Sequence, residues 1–233
     1  MKLIEGKGLN KSYFSKEIEI KALTDVEFEI NPAMLVSFVG PSGSGKTTLL
    51  NLIGVLDKPT SGRLMVAGKE VSTLDRKSRA VFRGENIGFV FQNFNLLPAL
   101  TIYENVEYPL VMVRNVPAAE RAKRVIDLLE SVGMSDLRNK YPDQISGGQK
   151  QRVAVARALV THPKLVLADE PTANLDSKTA FMVIDLMKKM KNDFETTFLF
   201  STHDHKIVDN AEIIYTLEDG RITDISGNGG RKQ

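Results

Sequence analysis

The stretch Gly40-Pro41-Ser42-Gly43-Ser44-Gly45-Lys46-Thr47 constrains this chain more than any other. It has the pattern G-x-x-x-x-G-K-[ST]. An apolar run, Leu35-Val36-Ser37-Phe38-Val39, precedes it, and an apolar helical segment, Leu49-Leu50-Asn51-Leu52-Ile53, follows. Strand, glycine loop and helix in that order are the setting of a phosphate-binding loop. The glycines let backbone N–H groups turn inward around phosphate oxygens, and the helix N-terminus adds partial positive charge. Lys46 is placed to reach β- and γ-phosphates, and the Thr47 hydroxyl to hold Mg²⁺, with Thr48 next to it. A nucleoside triphosphate is the expected ligand.

Composition narrows the class. The 233 residues, 42% of them hydrophobic, suffice for one large domain or a domain with a sub-domain. A net charge of +2 from 31 basic and 29 acidic residues gives no bias toward nucleic acid, which is not expected as a partner. The chain has no cysteine, so no disulfide framework exists, and a reducing cytosol fits. Met1 to Lys7 lacks the apolar core of a signal peptide, and no apolar run approaches membrane-spanning length. Any membrane role is expected to be peripheral.

Along the chain, residues 1–30 read as short strand-like runs such as Val26-Glu27-Phe28-Glu29-Ile30, with Asn31-Pro32 as a turn. Residues 62–74 read as a short strand pair broken by Gly62 and Gly68, and Ile87 to Phe91 as a buried strand ending at Gln92. Residues 93–162 change to mostly helical character, with helices at Ala118–Val132, stopped by Gly133, and Gly147–Val160, ended before Pro163. Strands return at Leu165–Ala168 and Thr197–Phe200, around a helix from about Ser177 to Lys191 capped by Asp176 or Ser177. Ile213 to Ile222 reads as a hairpin turning at Asp219-Gly220, and residues 226–233 as a disordered tail. Alternating strands and helices imply an α/β domain with a parallel core and an inserted helical block.

Leu165-Val166-Leu167-Ala168-Asp169-Glu170 is an apolar strand ending in two carboxylates. Beside a phosphate loop, Asp169 fits the Mg²⁺-holding role and Glu170 a general base for attacking water; an ordinary acidic strand end is the competing account. Ile145-Ser146-Gly147-Gly148-Gln149 supplies a helix cap and bare backbone N–H groups, a second anion site. Two phosphate sites for one nucleotide make sense when the second serves another subunit.

The ordered set G-P-S-G-S-G-K-T, Gln92, I-S-G-G-Q, L-V-L-A-D-E-P-T, A-N-L-D and S-T-H resembles the ATP-binding-cassette ATPases over essentially residues 1–225. The resemblance implies a P-loop NTPase (RecA-like) parallel-sheet core, an N-terminal antiparallel β sub-domain and a helical sub-domain inserted at about 93–162. It implies ATP and Mg²⁺ as cofactors and an ATP-dependent head-to-tail homodimer. In that dimer Ser146, Gly147, Gly148 and Gln149 would face the γ-phosphate held by the partner's Lys46. It further implies that Tyr13 stacks on adenine, where a core tyrosine is the alternative. Gln92 would contact Mg²⁺ and the attacking water, His203 would contact the γ-phosphate and hold Glu170, and Asp176 would touch the other subunit. His162 and His205 have no such support and read as non-catalytic. Two positions depart from the family pattern: Ile145 stands where Leu is usual, and Asn31-Pro32-Ala33-Met34 where Gly-Glu or Gly-Asp is common.

Residues 92–110, with Leu56-Asp57-Lys58-Pro59-Thr60-Ser61-Gly62, resemble the LolD/MacB-type branch, which serves lipoprotein release and macrolide export. An integral membrane permease is the implied partner, and the cytoplasmic face of the cell membrane the implied location. A regulatory cassette that drives a transmembrane signal without transport is the alternative. A soluble cassette acting on DNA or ribosomes fits less well, since no heptad run or second cassette is present. Phe94, Leu96, Leu97 and Leu100 cluster after Gln92, either to receive a permease helix or to pack inside the sub-domain. Met182, Met187 and Met190, with Phe181 and Ile184, read as the core face of a helix, and Lys188, Lys189 and Lys191 as its solvated face.

Overall fold

The strand-forming segments sort into two sheets with different burial patterns. The structure, a computed structural model, describes residues 1–15, 18–114, 116–202 and 204–227. The first sheet is antiparallel, in the order β2-β1-β4-β5, built from β1 (Ile4–Ser15), β2 (Ile18–Ile30), β4 (Ser61–Val66) and β5 (Lys69–Glu70). The runs expected in residues 1–30 are thus two long paired strands. Toward the end of β2, Val26, Phe28 and Ile30 are buried while Glu27 and Glu29 face water, the alternation of a sheet with one solvated face.

The second sheet has the order β10-β9-β3-β8-β7-β6. Its strands are β3 (Leu35–Val39), β6 (Ile87–Val90), β7 (Leu165–Asp169), β8 (Thr197–Thr202), β9 (Ile213–Glu218) and β10 (Arg221–Gly227). All pairs are parallel except the hairpin β9–β10. That hairpin turns at Asp219 and Gly220, both with positive φ (46° and 74°), as a two-residue hairpin loop requires. Strands β3, β7 and β8 are buried almost throughout, so both faces are covered. Phe198 and Phe200 enter one apolar cluster with the helices, and Leu199 enters the other with the antiparallel sheet. The period-two alternation of one strand thereby joins both cores.

The helices are α1 (Lys46–Ile53), α2 (Arg76–Asn86), α3 (Ile102–Pro109), α4 (Ala118–Ser131), α5 (Gly147–Leu159), α6 (Ser177–Phe194) and the short α7 (His205–Val208). Among the described residues no helix is long and apolar enough to cross a membrane. Asp176 caps α6 as expected, accepting from the Thr179 N–H at 3.0 Å; the helix runs to Phe194 and stops at Glu195, whose φ is 50°. Helix α3 opens on a capping box of Thr101 and Glu104 and passes at Pro109 into a π-helical turn, Leu110–Arg114. The helical block thus begins at Ile102; the stretch before it, from Gln92, is loop.

Four expectations are corrected. The strand pair stops at Glu70, because Ala67 and Gly68 (φ 49° and 82°) turn it early. Helix α2 was not anticipated: its turns are rich in charge and only Phe82 is buried, so the segment carries no apolar stripe. On α6, Ile184, Met187 and Met190 are buried, but Phe181 and Met182 lie on the exposed side; Lys188 and Lys191 are tied to Asn210 and Glu212 (2.7 and 2.8 Å) rather than simply solvated. Ser226 and Gly227 continue β10, paired with Ile214 and Ile213, and the rest of the proposed tail lies outside the described residues.

Helix α5 lies so close to β6 that a Cβ on Gly88 would fall 2.2 Å from the Ala158 carbonyl oxygen. Gly88→Ala is therefore expected to destabilise the protein by about 1–3 kcal/mol through overpacking. A thermal melt should fall by several degrees; an unchanged melting temperature would mean that this approach has slack.

Candidate nucleotide site

Strand β3 delivers the chain into the loop 40–47, and α1 leads out of it. Gly45 turns the corner with φ 101°, and a Cβ there would lie 2.6 Å from the Ala22 carbonyl oxygen; only glycine meets both demands. The Lys46 ammonium curls under the loop and donates to the carbonyl oxygens of Gly40 (2.8 Å) and Pro41 (2.9 Å). Above the loop is a cavity of about 600 Å³, lined by Ser42, Gly43, Lys46, Thr47 and Thr48 and by Ile20 to Ala22 of β2, with Glu170 at its edge. Gly43 has open space where a Cβ would be, and the Ser44 hydroxyl is buried without a hydrogen-bond partner among the described residues. A glycine loop at a helix start, with an ammonium at the cavity, suits a polyphosphate.

The two carboxylates arrive from β7. Its register with β8 sets Asp169 opposite Ser201. The Ser201 hydroxyl donates to Asp169 Oδ1 at 2.6 Å and accepts the Glu170 N–H at 3.0 Å. The Thr47 hydroxyl lies 3.2 Å from Asp169 Oδ2. Thr47 and Asp169 thus offer adjoining hard oxygen donors, the kind Mg²⁺ takes. Glu170 itself has φ 46°, in the left-handed region that non-glycine residues seldom visit. The two acids stand out at the end of an apolar strand, whereas Ser201 inside S-T-H carries no local signal of its own. His203 lies outside the described residues.

Tyr13 is 39% exposed and pairs across the sheet with Ile20, which lines the cavity; it is not a core tyrosine. Its hydroxyl donates to Asp57 Oδ2 (3.1 Å), and the Lys11 ammonium lies over its ring at 4.7 Å and bridges to Asp57 at 2.8 Å. Lys11 thus occupies one ring face, a cation–π contact.

The remaining motif residues are gathered elsewhere. Ser146 caps α5, with Gln149 closing the reciprocal box (2.8 Å to the Ser146 N–H), and the backbone of Gly148 lies against the Thr179 methyl at the start of α6. Asp176 is occupied by Thr179: the Thr179 hydroxyl (2.6 Å) and N–H hold its carboxyl below the usual range. None of Ser146, Gly147, Gly148, Gln149 and Asp176 lines the Lys46 cavity. Gln92 is exposed, and its carbonyl accepts from the Asn174 amide at 3.0 Å, which fastens the loop after β6 to the A-N-L-D turn. Past it, Phe94 and Asn95 are both left-handed (φ 61° and 47°), and Arg157 of α5 donates to their carbonyl oxygens at 2.7 and 2.5 Å. Burial pushes that guanidinium below its ordinary value. The apolar cluster divides: Leu96 packs against the core, Leu97 is exposed, and Phe94 and Leu100 are half-buried.

Burial raises the Asp57 carboxyl, but Lys11 and the hydrogen bonds outweigh it and leave it below the ordinary value. A depressed folded-state value means stabilisation that is present above the unfolded-state value, near pH 4, and lost as pH falls further. Asp57→Asn is expected to melt lower than wild type at pH 7, with the gap closing toward about pH 3. A gap that does not change with pH, in parallel melts, would assign the loss to shape rather than charge.

The family model described as ABC transporter matches residues 23–173. An uncharacterized ABC transporter ATP-binding protein of Thermotoga maritima is 46% identical over 219 residues, covering 94% of this chain and 93% of that protein. The lipoprotein-releasing system ATP-binding protein LolD of Anaeromyxobacter dehalogenans is 44% identical over 219 residues, covering 94% and 92%. Among solved structures, the dimeric post-hydrolysis state of the ATP-binding cassette MJ0796 bound to ADP and Pi superposes with a TM-score of 0.88 at 41% identity, covering 97% of this chain and 99% of that one. With the family model spanning most of the chain and near full-length likeness to ATP-binding proteins, this chain belongs to the ABC transporter family as one of its ATP-binding cassettes.

Proposed function

We propose that this chain is the ATP-hydrolysing subunit of a membrane transporter that exports or extracts an amphipathic substrate, a lipoprotein or a macrolide-like molecule, through a partner permease. The observation that carries the chemistry is the continuous hydrogen-bonded set Thr47–Asp169–Ser201–Glu170, whose two ends, Thr47 and Glu170, line the Lys46 cavity. ATP sits with its phosphates over residues 40–48 and its adenine toward Tyr13. Lys46 exchanges its two carbonyl partners for phosphate oxygens. Thr47 and Asp169, with Gln92, would hold Mg²⁺, which when bound supplies positive charge beside the phosphates. Glu170 orients and polarises the water, a role worth about 10²–10⁴-fold in rate, and His203 steadies it.

The separation of the Ser146–Gln149 helix start from the Lys46 cavity within one chain supports a head-to-tail homodimer. There each such helix start meets the partner's phosphates, and Asp176 lies near the other subunit. Residues 1–225 work as one ATPase domain, with the segment at about 93–162 as its moving helical part. A groove of about 380 Å³ between α2, β6 and α5, lined by Arg83, Phe89, Phe91, Val113 and Arg157, is the place for a permease helix on the cytoplasmic face of the membrane.

Glu170→Gln is expected to cut hydrolysis at least about 10²-fold, to leave ATP affinity unchanged, and to yield an ATP-bound dimer on size exclusion. A variant hydrolysing at the normal rate would remove Glu170 from the role of base. Lys46→Ala is expected to weaken ATP binding itself in a calorimetric titration; unchanged affinity would displace the phosphates from this loop. For the transport role, affinity capture from solubilised native membranes is expected to return a permease with few spans and a large extracytoplasmic domain. Capture of ribosomal or DNA-bound proteins alone would leave the ATPase standing and the transporter not.

A further inference from the structure

Ser201 has so far figured only as a link in the hydrogen-bonded set, yet its hydroxyl both donates to Asp169 and accepts from the Glu170 N–H. We propose that Ser201 is a positioning residue: it holds the backbone of Glu170 in its left-handed conformation and locks the Asp169 carboxylate beside Thr47, so that one hydroxyl sets the relative placement of the proposed base and the proposed Mg²⁺ ligand. The inference rests on the assignment of Glu170 as base.

Ser201 is fully buried, on the central strand β8, between Phe38 of β3 and Asp169 of β7. Pairing on both sides leaves the strand no freedom to slide. Beside it stand two groups of opposite need. The Asp169 carboxylate only accepts, and the Glu170 N–H only donates. A hydroxyl is a donor and an acceptor at once, and Ser201 serves both, at 2.6 and 3.0 Å. An aliphatic side chain there would leave a part-buried donor and a part-buried acceptor short of a partner.

Glu170 needs the help. Its φ of 46° is one that side-chain-bearing residues rarely adopt. Its N–H is fastened to Ser201, and its carbonyl oxygen accepts the Ala173 N–H at 3.2 Å. A residue on the neighbouring strand therefore takes part in setting the direction in which the Glu170 carboxylate leaves the chain.

The test compares Ser201→Ala with Ser201→Thr, which keeps the hydroxyl, and runs Glu170→Gln alongside. In nucleotide-free protein, hydrogen exchange at the Glu170 amide is expected to be slow in wild type and at least about tenfold faster in S201A. In steady-state kinetics S201A is expected to lose about tenfold in kcat with the KM for ATP within about twofold, and S201T to recover both readouts. An unprotected Glu170 amide in wild type, which needs no variant to fold, would overturn the proposal. So would an S201A protein with unchanged exchange, or an S201T that keeps the protection while losing kcat as S201A does. If E170Q hydrolyses at the wild-type rate, the assignment of the base fails, while the exchange measurement still judges the Ser201 contact by itself.

Discussion

The parallel pairing of β7, β8 and β3 is the constraint on which the site depends. It puts Asp169 beside Ser201, and Ser201 beside Phe38, two residues before the loop that begins at Gly40. Shift any of the three strands by one residue and each apolar side chain changes face, while Asp169 leaves its place opposite the Thr47 hydroxyl. The register is set by burial. The strands are covered on both sides, with Phe198 and Phe200 facing the helices and Leu199 the antiparallel sheet, so a slip would cost the packing of two cores at once.

A site built at the ends of such strands inherits their rigidity. The polar groups sit where the apolar runs stop: Val39 gives way to Gly40, Ala168 to Asp169, Phe200 to Ser201. In an open α/β sheet ligands bind outside the carboxyl ends of the strands, and here the ends of β3 and β7 bring an ammonium, a hydroxyl and a carboxylate to one cavity, while Ser201 at the end of β8 braces them from behind. The antiparallel sheet contributes its own edge, since Ile20, Lys21 and Ala22 close the cavity from the side and Tyr13 lies opposite Ile20.

Much of this was legible in the sequence, for identifiable reasons. The phosphate loop is contiguous, and its glycines have few other uses. The β7 acids stand out because an apolar strand seldom ends in two charges. The Asp219-Gly220 turn and the Asp176 cap follow from local backbone chemistry. What escaped depends on distance along the chain or on weak local signal. Ser201 is an unremarkable residue in a strand; its meaning comes from a register with a segment 32 residues earlier. Helix α2 buries one side chain and so has no stripe to detect. The division of Phe181 and Met182 from Ile184 and Met187 depends on which side of α6 the sheet covers, and the composition of that face does not say.

Helix α5 has a mechanical consequence. Its first turn carries the Ser146 cap and the backbone of Gly148, and Arg157, near its last turn, grips the two left-handed residues Phe94 and Asn95. From Ser146 to Arg157 is 11 residues, or about 16 Å of α-helix, stiff along its axis and packed into the core for most of its length. One end stands at the proposed dimer seam, and the other is pinned to the loop that follows Gln92 and borders the groove between α2 and β6, so the helix has the form of a push-rod. Axial travel at the seam becomes travel at the groove, without any need for the helix to bend.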